Sequence, residues 1–211
     1  MTPAASPAPV PGPGPAFRTV HPIEEESYRI LRSRLDTSAL PPLTRAVTER
    51  VIHASADLAY ATDLVTDEDA LRAAHTALHR DGVPVVTDVA MVAAGITRRP
   101  AVCRLAEAAA DPAAGLTRSA HAVRLALAET GPGAVWVIGC APTALLELLA
   151  LAAAARPALV VGLPVGFVGA AESKAALRAA GLPAVSNMSE KGGSAVAAAA
   201  VNALLYTEEI P

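Results

Sequence analysis

The sequence of 211 residues is poor in aromatic side chains, in cysteine and in basic charge. Phe, Trp and Tyr make up 3% of it, so it offers few rings on which nucleic-acid bases could stack. Lys and Arg number 17 against 20 Asp and Glu, whereas nucleic-acid-binding surfaces are strongly basic. Two cysteines, Cys103 and Cys140, are too few for a disulfide framework. The composition predicts a cytoplasmic protein with no nucleic-acid partner.

Long apolar runs are absent too, although hydrophobic residues make up 53% of the chain. The apolar stretches 143–155 and 195–205 contain Glu147 and Asn202, and both are shorter than the ~20 residues that cross a bilayer. No basic stretch followed by an apolar run opens the chain, which predicts no signal peptide. We therefore expect no membrane partner and a single globular domain.

The chain begins with a segment that cannot form a core. Pro, Ala and Gly dominate residues 1–20, which predicts a disordered, polyproline-like tail and a folded domain over 21–211. Helical spacing of apolar residues then predicts three helices, over 22–35, 43–56 and 67–80. Thr66 and Gly82 are placed to cap the third of them.

After Gly82 the pattern changes to short β-branched runs, each followed by Gly or Pro and then by an Ala-rich helical segment. The predicted strands cover 83–87, 134–138, 158–162 and 183–187. This alternation predicts a three-layer α/β/α fold with a mostly parallel central sheet. Ligands of such folds bind at the carboxyl ends of the strands.

Three of the predicted strand-to-helix junctions are rich in glycine, at 138–143, 162–169 and 190–194. Helix N-termini and exposed backbone N–H groups at one sheet edge favour a ligand with several anionic groups. None of the junctions has the G-x-G-x-x-G or P-loop pattern. Tight turns alone also explain these glycines, so both interpretations stay open.

Of the five histidines, His53 has the most suggestive surroundings. It follows Arg50 by three residues in an apolar helical stretch, so the two share a helix face, and an imidazole can transfer a proton near neutral pH. A buried structural histidine would show the same pattern. His75 and His79 have the i, i+4 spacing of metal ligands, but no H-E-x-x-H glutamate lies between them.

Seven blocks of the chain resemble, in order, the precorrin-8X methylmutase (cobalt-precorrin-8 methylmutase) family of cobalamin biosynthesis. They are EEESYRILR (24–32), ERVIHAS (49–55), GVPVVTDVAMVAAGITRR (82–99), GLTRSAHAV (115–123), IGCAPTALLEL (138–148), GLPVGFVGAAESK (162–174) and EKGGSAVAAAAVNAL (190–204). The blocks cover most of residues 22–205, and the sixth is the most specific.

The resemblance implies a three-layer α/β homodimer with its sites near the subunit interface. It implies an isomerase that moves the ring-C methyl group of precorrin-8X or cobalt-precorrin-8 from C-11 to C-12, giving hydrogenobyrinate or cobyrinate, with no cofactor and no metal site. The family's catalytic histidine falls on His53, which we expect to act as a general acid. Expected substrate contacts are Ser27, Arg50, Thr117, Arg118, Ser119, Gly139, Gly166, Gly169, Lys191, Gly192, Gly193 and Ser194.

The chain departs from the family pattern at several positions. Cys140 stands where the family usually has Asn, Ala56 where it has Gly, Ala90 where it has an acid, and 189–191 where it has a basic segment. These departures leave a corrinoid-binding paralogue without mutase activity as the alternative. A metal-handling protein that uses His75 and His79 is a second one.

Overall fold

The computed structural model describes residues 21–208, so the tail expected at 1–20 lies outside the described residues. Its helices are α1 (Pro22–Arg34), α2 (Pro42–Ser55), α3 (Tyr60–Asp63), α4 (Glu68–Thr76), α5 (Ala90–Gly95), α6 (Arg118–Thr130), α7 (Pro142–Ala150), α8 (Ala152–Ala155), α9 (Ala170–Ala179) and α10 (Ser194–Tyr206). Its strands are β1 (Leu64–Val65), β2 (Val85–Thr87), β3 (Val135–Ile138), β4 (Leu159–Gly162) and β5 (Ala184–Asn187).

The five strands form one sheet in the order β1-β5-β4-β3-β2. The four strands expected from the sequence pair in parallel, and β1 pairs antiparallel with β5, with Leu64 opposite Asn187. Because β1 has two residues, it has no alternation of side chains that a sequence pattern could reveal. The mostly parallel sheet is confirmed, with one antiparallel edge.

Successive side chains of β3 pack alternately against two helical layers, one on each face of the sheet. Val135 and Val137 pack in a core with α1, α2, α4, α5 and α10, whereas Trp136 and Ile138 pack in a core with α6, α7 and α9. All four residues of β3 are buried, as expected for a parallel strand that is covered on both faces. The three-layer α/β/α arrangement is therefore confirmed.

The third helix begins and ends elsewhere than expected. Asp67, not Thr66, is its N-cap, because the Asp67 carboxylate accepts the Ala70 N–H at 2.7 Å. The α-helix ends at Thr76, and a π-helical turn, Ala77–Asp81, continues to Gly82. Gly82 closes it in the left-handed region (φ 62°), as expected.

Helix α10 lies in the centre of one layer, where its short side chains allow close packing. Ten of its 13 residues are buried, and most of them are Ala or Val. A Cβ atom on Gly95 of α5 would lie 2.7 Å from the Ala198 Cβ, so these helices touch almost backbone to backbone. None of the helices described between residues 21 and 208 has both the length and the apolar character that a membrane crossing requires.

The end of α2 carries a strained residue. Ala56 adopts the left-handed region (φ 54°), where a side chain is unfavourable by about 1–2 kcal/mol and glycine is at ease. This position is one of the departures from the family pattern, in which glycine is usual.

Ala56→Gly should therefore raise the free energy of unfolding by about 0.5–1 kcal/mol, because relief of strain exceeds the added entropy of the unfolded chain. Urea unfolding at pH 7 measures it. Ala59→Gly is the matched control, since Ala59 has an ordinary φ of −63° and gains nothing from glycine. Equal destabilisation by both substitutions would show that Ala56 is not strained.

Candidate active site

A serine and a tyrosine on α1 fix the orientation of His53 on α2. The Ser27 Oγ and the His53 Nδ1 are 2.7 Å apart, a hydrogen bond whose donor depends on the tautomer. The Tyr28 ring stacks on the imidazole with centroids 5.1 Å apart and an interplanar angle of 14°. His53 is half-buried, so the ring is held on one side and reaches a surface on another. Such fixed orientation is what proton transfer to a ligand requires.

Arg50 lies one helical turn before His53 and is held by an acid and an aromatic ring. Its Nη1 is 3.5 Å from the Glu24 Oε1, and its guanidinium carbon lies 4.7 Å from the centroid of the Tyr206 ring. The Arg98 guanidinium lies at the same distance from that ring. Tyr206 therefore orients two cations at the end of α10 through cation–π contacts.

Three adjoining cavities follow the exposed face of α2. A cavity of about 450 Å³ contains Arg50, Tyr28 and Tyr206, and a cavity of about 110 Å³ contains Ser27 and His53. A third, of about 280 Å³, contains both Arg50 and His53. Arg50 lines the first and third cavities, and His53 lines the second and third, so a ligand in the third cavity can contact both side chains. We call the three cavities together the α2 groove.

A buried carboxylate, Glu49, anchors α1 to α2 beside this groove. It accepts hydrogen bonds from Arg32, Arg45 and Thr37 and is 3% exposed. Burial raises the pKa of Glu49, but these donors outweigh burial and hold that pKa at about 2. The ionised form is thus strongly favoured in the folded protein.

The three glycine-rich junctions do meet at one edge of the sheet, as expected. A Cβ on Gly139 would lie 3.1 Å from the Ser194 Cα, and one on Gly169 would lie 3.4 Å from the Pro142 Cβ. A Cβ on Gly192 would clash with the Leu163 carbonyl oxygen at 2.2 Å. Glycine is needed here because the junctions touch each other.

The backbone N–H groups of the first junction already have a partner within the protein. The carboxylate of Asp88, which follows β2, accepts the N–H groups of Gly139, Cys140 and Ala141 at 2.8–3.0 Å. Burial raises the pKa of Asp88, and the three donors act in the opposite direction. The protein thus supplies its own anion at the N-terminus of α7.

Two more amides of the expected cradle are used within the protein. The Gly166 N–H donates to the Glu190 carbonyl oxygen at 3.2 Å, and the Gly193 N–H donates to the Leu163 carbonyl oxygen at 2.9 Å. The amides of Gly139, Gly166 and Gly193 therefore link the junctions to their surroundings. That Gly139, Gly166 and Gly193 contact the substrate stays a prediction, and these N–H groups are not free to donate to it.

A buried lysine holds the third junction in place. Lys174 is 0% exposed, and its Nζ donates to the Asn187 Oδ1 at 2.8 Å and to the Lys191 carbonyl oxygen at 2.6 Å. Burial lowers the pKa of Lys174 to about 8. The Lys191 Nζ in turn contacts the Asp57 carboxylate at 2.7 Å, which ties this junction to the chain just after α2. Among the residues of the third junction, Lys191 is therefore joined by an ion pair to the segment that follows α2, the helix that carries His53.

Within one chain, the structure does not bring Thr117, Arg118 and Ser119 to His53. Thr117 is the N-cap of α6, and its hydroxyl donates to the Thr143 Oγ1 at 2.9 Å. The exposed Arg118 donates through Nε to the Leu105 carbonyl oxygen at 2.9 Å, and Ser119 follows it in the first turn of α6. This helix packs on the opposite face of the sheet from α2.

The pair formed by His75 on α4 and His79 in the π-helical turn after it has a structural role. The His75 Nε2 contacts the Thr207 carbonyl oxygen at 2.7 Å, and the His79 Nε2 contacts the Leu204 carbonyl oxygen at 3.0 Å. Both rings therefore bind carbonyl groups at the C-terminal end of α10. Residues 21–208 contain no group of three or more His, Cys, Asp or Glu side chains placed to hold a metal ion. These contacts disfavour the metal-handling alternative.

The remaining departures from the family pattern lie at the surface. Cys140 is exposed as a residue, but partial burial of its thiol, together with the Asp88 charge, raises the pKa of the thiol and makes it a poor nucleophile. Ala90 and Glu190 are exposed as well. Because the Asp88 carboxylate binds the Cys140 N–H rather than its side chain, the fold of this junction tolerates Cys in place of Asn.

Comparison with known proteins identifies the family. The family model described as precorrin-8X methylmutase matches residues 22–207. The chain belongs to the precorrin-8X methylmutase family. The family match confirms the resemblance seen in the sequence and the isomerase class that it implies.

Individual relatives agree with the family match. The chain is 42% identical to the precorrin-8X methylmutase of Pseudomonas aeruginosa, over 89% of this chain and 95% of that protein. It is 37% identical to the cobalt-precorrin-8 methylmutase of Priestia megaterium, over 88% of each. Its fold is similar to that of the precorrin-8X methylmutase crystal structure from Thermus thermophilus, with a TM-score of 0.76, 36% identity and coverage of 87% of this chain and 95% of that one.

Sequence reasoning missed several residues of this methylmutase-family site. Tyr28 and Tyr206 orient His53 and Arg50, and Asp88 and Lys174 hold the junctions. Asp88 could have been found as a carboxylate directly after a buried strand, a common position for the cap of a neighbouring helix. Tyr206 gives no such signal, because its contacts depend on how α10 packs against α2.

The charge of Glu49 should make stability depend on pH in a defined range. Its folded pKa, about 2, lies below the ordinary value of 4.5, so the stabilisation is complete above pH 4.5 and is lost as pH falls toward 2. Its size is about 3 kcal/mol. Glu49→Gln should therefore lower the free energy of unfolding by about 2–3 kcal/mol at pH 7, and the difference from wild type should shrink by pH 3.

Urea unfolding at pH 7, 5 and 3 measures this effect. Glu172→Gln is the control, because Glu172 is exposed on α9 and its loss should change little at any of the three pH values. A Glu49→Gln deficit that stays constant down to pH 3 would contradict the assignment.

Proposed function

We propose that this protein moves the ring-C methyl group of precorrin-8X or cobalt-precorrin-8 from C-11 to C-12, with His53 as the general acid and no added cofactor. The observation that carries the proposal is the Ser27–His53 hydrogen bond at the wall of a groove that also contains Arg50. A tetrapyrrole with acetate and propionate arms needs both an apolar surface and cationic side chains, and the α2 groove offers both.

Each side chain has a distinct part in this proposal. Arg50 binds a carboxylate arm of the substrate, and Tyr206 keeps the guanidinium aligned for it. Ser27 holds Nδ1 of His53, and the imidazolium delivers a proton to the conjugated ring. The protonated ring is electron-poor at C-12, which favours transfer of the methyl group with its bonding electrons from C-11. Loss of a proton from the ring then completes an isomerisation in which no atom is gained or lost.

The retained Ser27–His53 pair supports the isomerase over a corrinoid-binding paralogue without turnover. A carrier needs the arginine and the apolar wall but gains nothing from a hydrogen-bonded imidazole at the ring edge. The two free cysteines and the biosynthetic role of the family support a cytoplasmic location.

We also propose a homodimer in which Arg118 of one copy completes the site around His53 of the other. Arg118 lies on α6, in the layer opposite α2, and is exposed to contact a second molecule. Apolar side chains in the β4–α9 loop support an interface: Phe167 is 95% exposed and Val168 is 88% exposed. Thr117 and Ser119 flank Arg118 and belong to the same proposed contact, and Gly169, Lys191, Gly192 and Ser194 stay proposed neighbours of the substrate.

Replacement of His53 tests the proton-transfer step. His53→Ala should lower kcat by at least about 100-fold, because general-acid catalysis is lost, while the affinity for hydrogenobyrinate changes little. Ser27→Ala should lower kcat by about 10-fold, the effect of one hydrogen bond that orients the ring. The change in the visible spectrum of the macrocycle follows turnover, and Ser33→Ala on the same helix is the control. Full turnover by His53→Ala would contradict the proposal.

Mixing two inactive variants tests the shared site. If Arg118 acts across the interface, His53→Ala and Arg118→Ala exchange subunits to form a heterodimer with one intact site. Random exchange should then restore about a quarter of wild-type activity. Activity that stays at the level of the separate variants, in a mixture shown by mass spectrometry to have exchanged, would place both residues in one subunit's site.

A further inference from the structure

Both lysines of the chain lie at the third glycine-rich junction. Of the 17 Lys and Arg residues 15 are arginine, and the two lysines are Lys174 on α9 and Lys191 within the junction. Arginine does not replace lysine in every role, because the ammonium group of lysine is compact and loses its proton far more readily. The proposed function assigns no part to Lys174, which is 0% exposed and so does not touch a substrate.

A buried amide connects the ammonium group of Lys174 to a carboxylate. The Lys174 Nζ donates to the Asn187 Oδ1 at 2.8 Å, and the Asn187 Nδ2 donates to the Asp63 Oδ2 at 2.8 Å. Asn187 is itself 0% exposed. A cation on α9 and an anion at the end of α3 are therefore joined across the end of β5. We call these three side chains the Lys174 network.

The Lys174 network holds the segment that leads to α10. The Lys174 Nζ also donates to the Lys191 carbonyl oxygen at 2.6 Å. The Asp63 carboxylate accepts the N–H groups of Met188 and Ser189 at 2.9 Å. Each end of the segment is thus held by a charged side chain. Hydrogen bonds to charged groups are roughly twice as strong as those between neutral groups, so loss of either charge loosens the segment.

The held segment ends at a wall of the α2 groove. Ala195, in the first turn of α10, lines the cavity of about 280 Å³ that also contains Arg50 and His53. On its other side the segment is tied to the chain just after α2, because the Lys191 Nζ contacts the Asp57 carboxylate at 2.7 Å. A shift of the segment would therefore displace the wall of the cavity that contains His53.

We infer that Lys174 is a positioning residue for the proposed reaction, and that its ammonium group keeps the segment 188–191 in the conformation in which the α2 groove binds the substrate. The inference rests on the proposed function and adds a residue that acts on the substrate site from outside it. Since a neutral amine binds the Lys191 carbonyl oxygen more weakly, the affinity for the macrocycle should fall as Lys174 loses its proton.

Burial and nearby charges determine where Lys174 loses its proton. Burial has the largest effect and lowers the pKa of Lys174 to about 8. Arg178, one turn along α9, also acts to lower this pKa, whereas Asp63 of α3 and Glu190 of the junction act to raise it. Strand β5 has no titratable side chain, and Glu147 of α7 pairs with an arginine of α6. Lys174 is therefore mostly charged at neutral pH and mostly neutral above pH 9.

The effects of Lys174 on stability and on binding should have opposite signs above pH 8. Its folded pKa lies below the ordinary value of 10.5, so the unfolded chain holds the proton more tightly. As pH rises from about 8 towards 10.5, the penalty of the buried charge disappears and the folded protein gains stability from this group. Weaker binding caused by Lys174 in this range is thus not a loss of folded protein, which separates positioning from a purely structural role.

The first test measures proton loss and affinity in the wild-type protein. Hydrogenobyrinate is titrated between pH 6.5 and 9.5, and its visible absorption gives the dissociation constant. NMR of the protein with isotope-labelled lysine shows two side-chain signals, and in Lys191→Arg the one that remains belongs to Lys174. This signal should titrate near pH 8, and the dissociation constant should rise by about 10-fold through the same range, the effect of one weakened charged hydrogen bond.

Two variants each remove one charge from the Lys174 network. Lys174→Met should weaken binding by about 10-fold at pH 7 with no further loss up to pH 9.5, while kcat at saturating substrate changes little. Asp63→Asn removes a charge that favours the protonated lysine, so its fall in affinity should begin at a lower pH than in wild type. Glu172→Gln on α9 and Asp69→Asn on α4, both exposed, are the controls. If Lys174→Met fails to fold, wild type and Asp63→Asn decide the question.

An affinity that stays constant in wild type while Lys174 titrates, or that falls equally in Lys174→Met, would overturn the inference. If wild type binds hydrogenobyrinate but does not turn over substrate, the proposed function fails, and the binding titrations still decide the role of Lys174. If wild type does not bind hydrogenobyrinate at all, both the proposed function and this inference are overturned.

Discussion

The close packing of α10 against the sheet, α2 and α5 is the constraint on which the site depends. Alanine, valine and glycine at these contacts bring the helices so near that the α2 groove has a fixed wall. Through this packing, Tyr206 at the end of α10 reaches Arg50, and Asn202 reaches the cavity beside His53. A larger side chain at the Gly95–Ala198 contact would displace the wall together with the core, because close-packed interiors relax only partly.

Ligands of α/β proteins commonly bind at the carboxyl ends of the strands, but here a carboxylate of the protein itself lies there. Asp88 takes the N–H groups at the start of α7, and carbonyl groups take those of Gly166 and Gly193. These N–H groups of the sheet edge are therefore engaged within the protein. Arg50 and His53, the side chains proposed to bind and to protonate the substrate, lie instead on α2, where α1 and α10 orient them. In the proposed function, side chains at the rim of a mostly apolar surface hold the anionic macrocycle.

The sequence predicts the larger features well, because they depend on local patterns. Alternation of β-branched runs with Ala-rich segments predicted the three layers and the four parallel strands, and the three-residue spacing predicted that Arg50 and His53 share a face. Antiparallel β1 has too few residues to leave a pattern. The contact of Asp88 with backbone N–H groups was missed because it joins residues about 50 positions apart. A carboxylate directly after a strand is a local signal, but it does not show which junction that carboxylate reaches.

The site residues were likewise predicted only in part, because some of their positions depend on tertiary packing. The resemblance to a family supplied His53, Ser27 and Arg50, and the structure brings these three to one groove. It leaves Arg118 in the opposite layer, a separation that only three-dimensional packing reveals.

The most direct measurement is a crystal structure with hydrogenobyrinate bound. The ring-C edge should lie in the α2 groove, with a carbon of that edge within about 4 Å of the His53 imidazole and a carboxylate arm on Arg50. A macrocycle bound elsewhere, with His53 out of contact, would contradict the central claim.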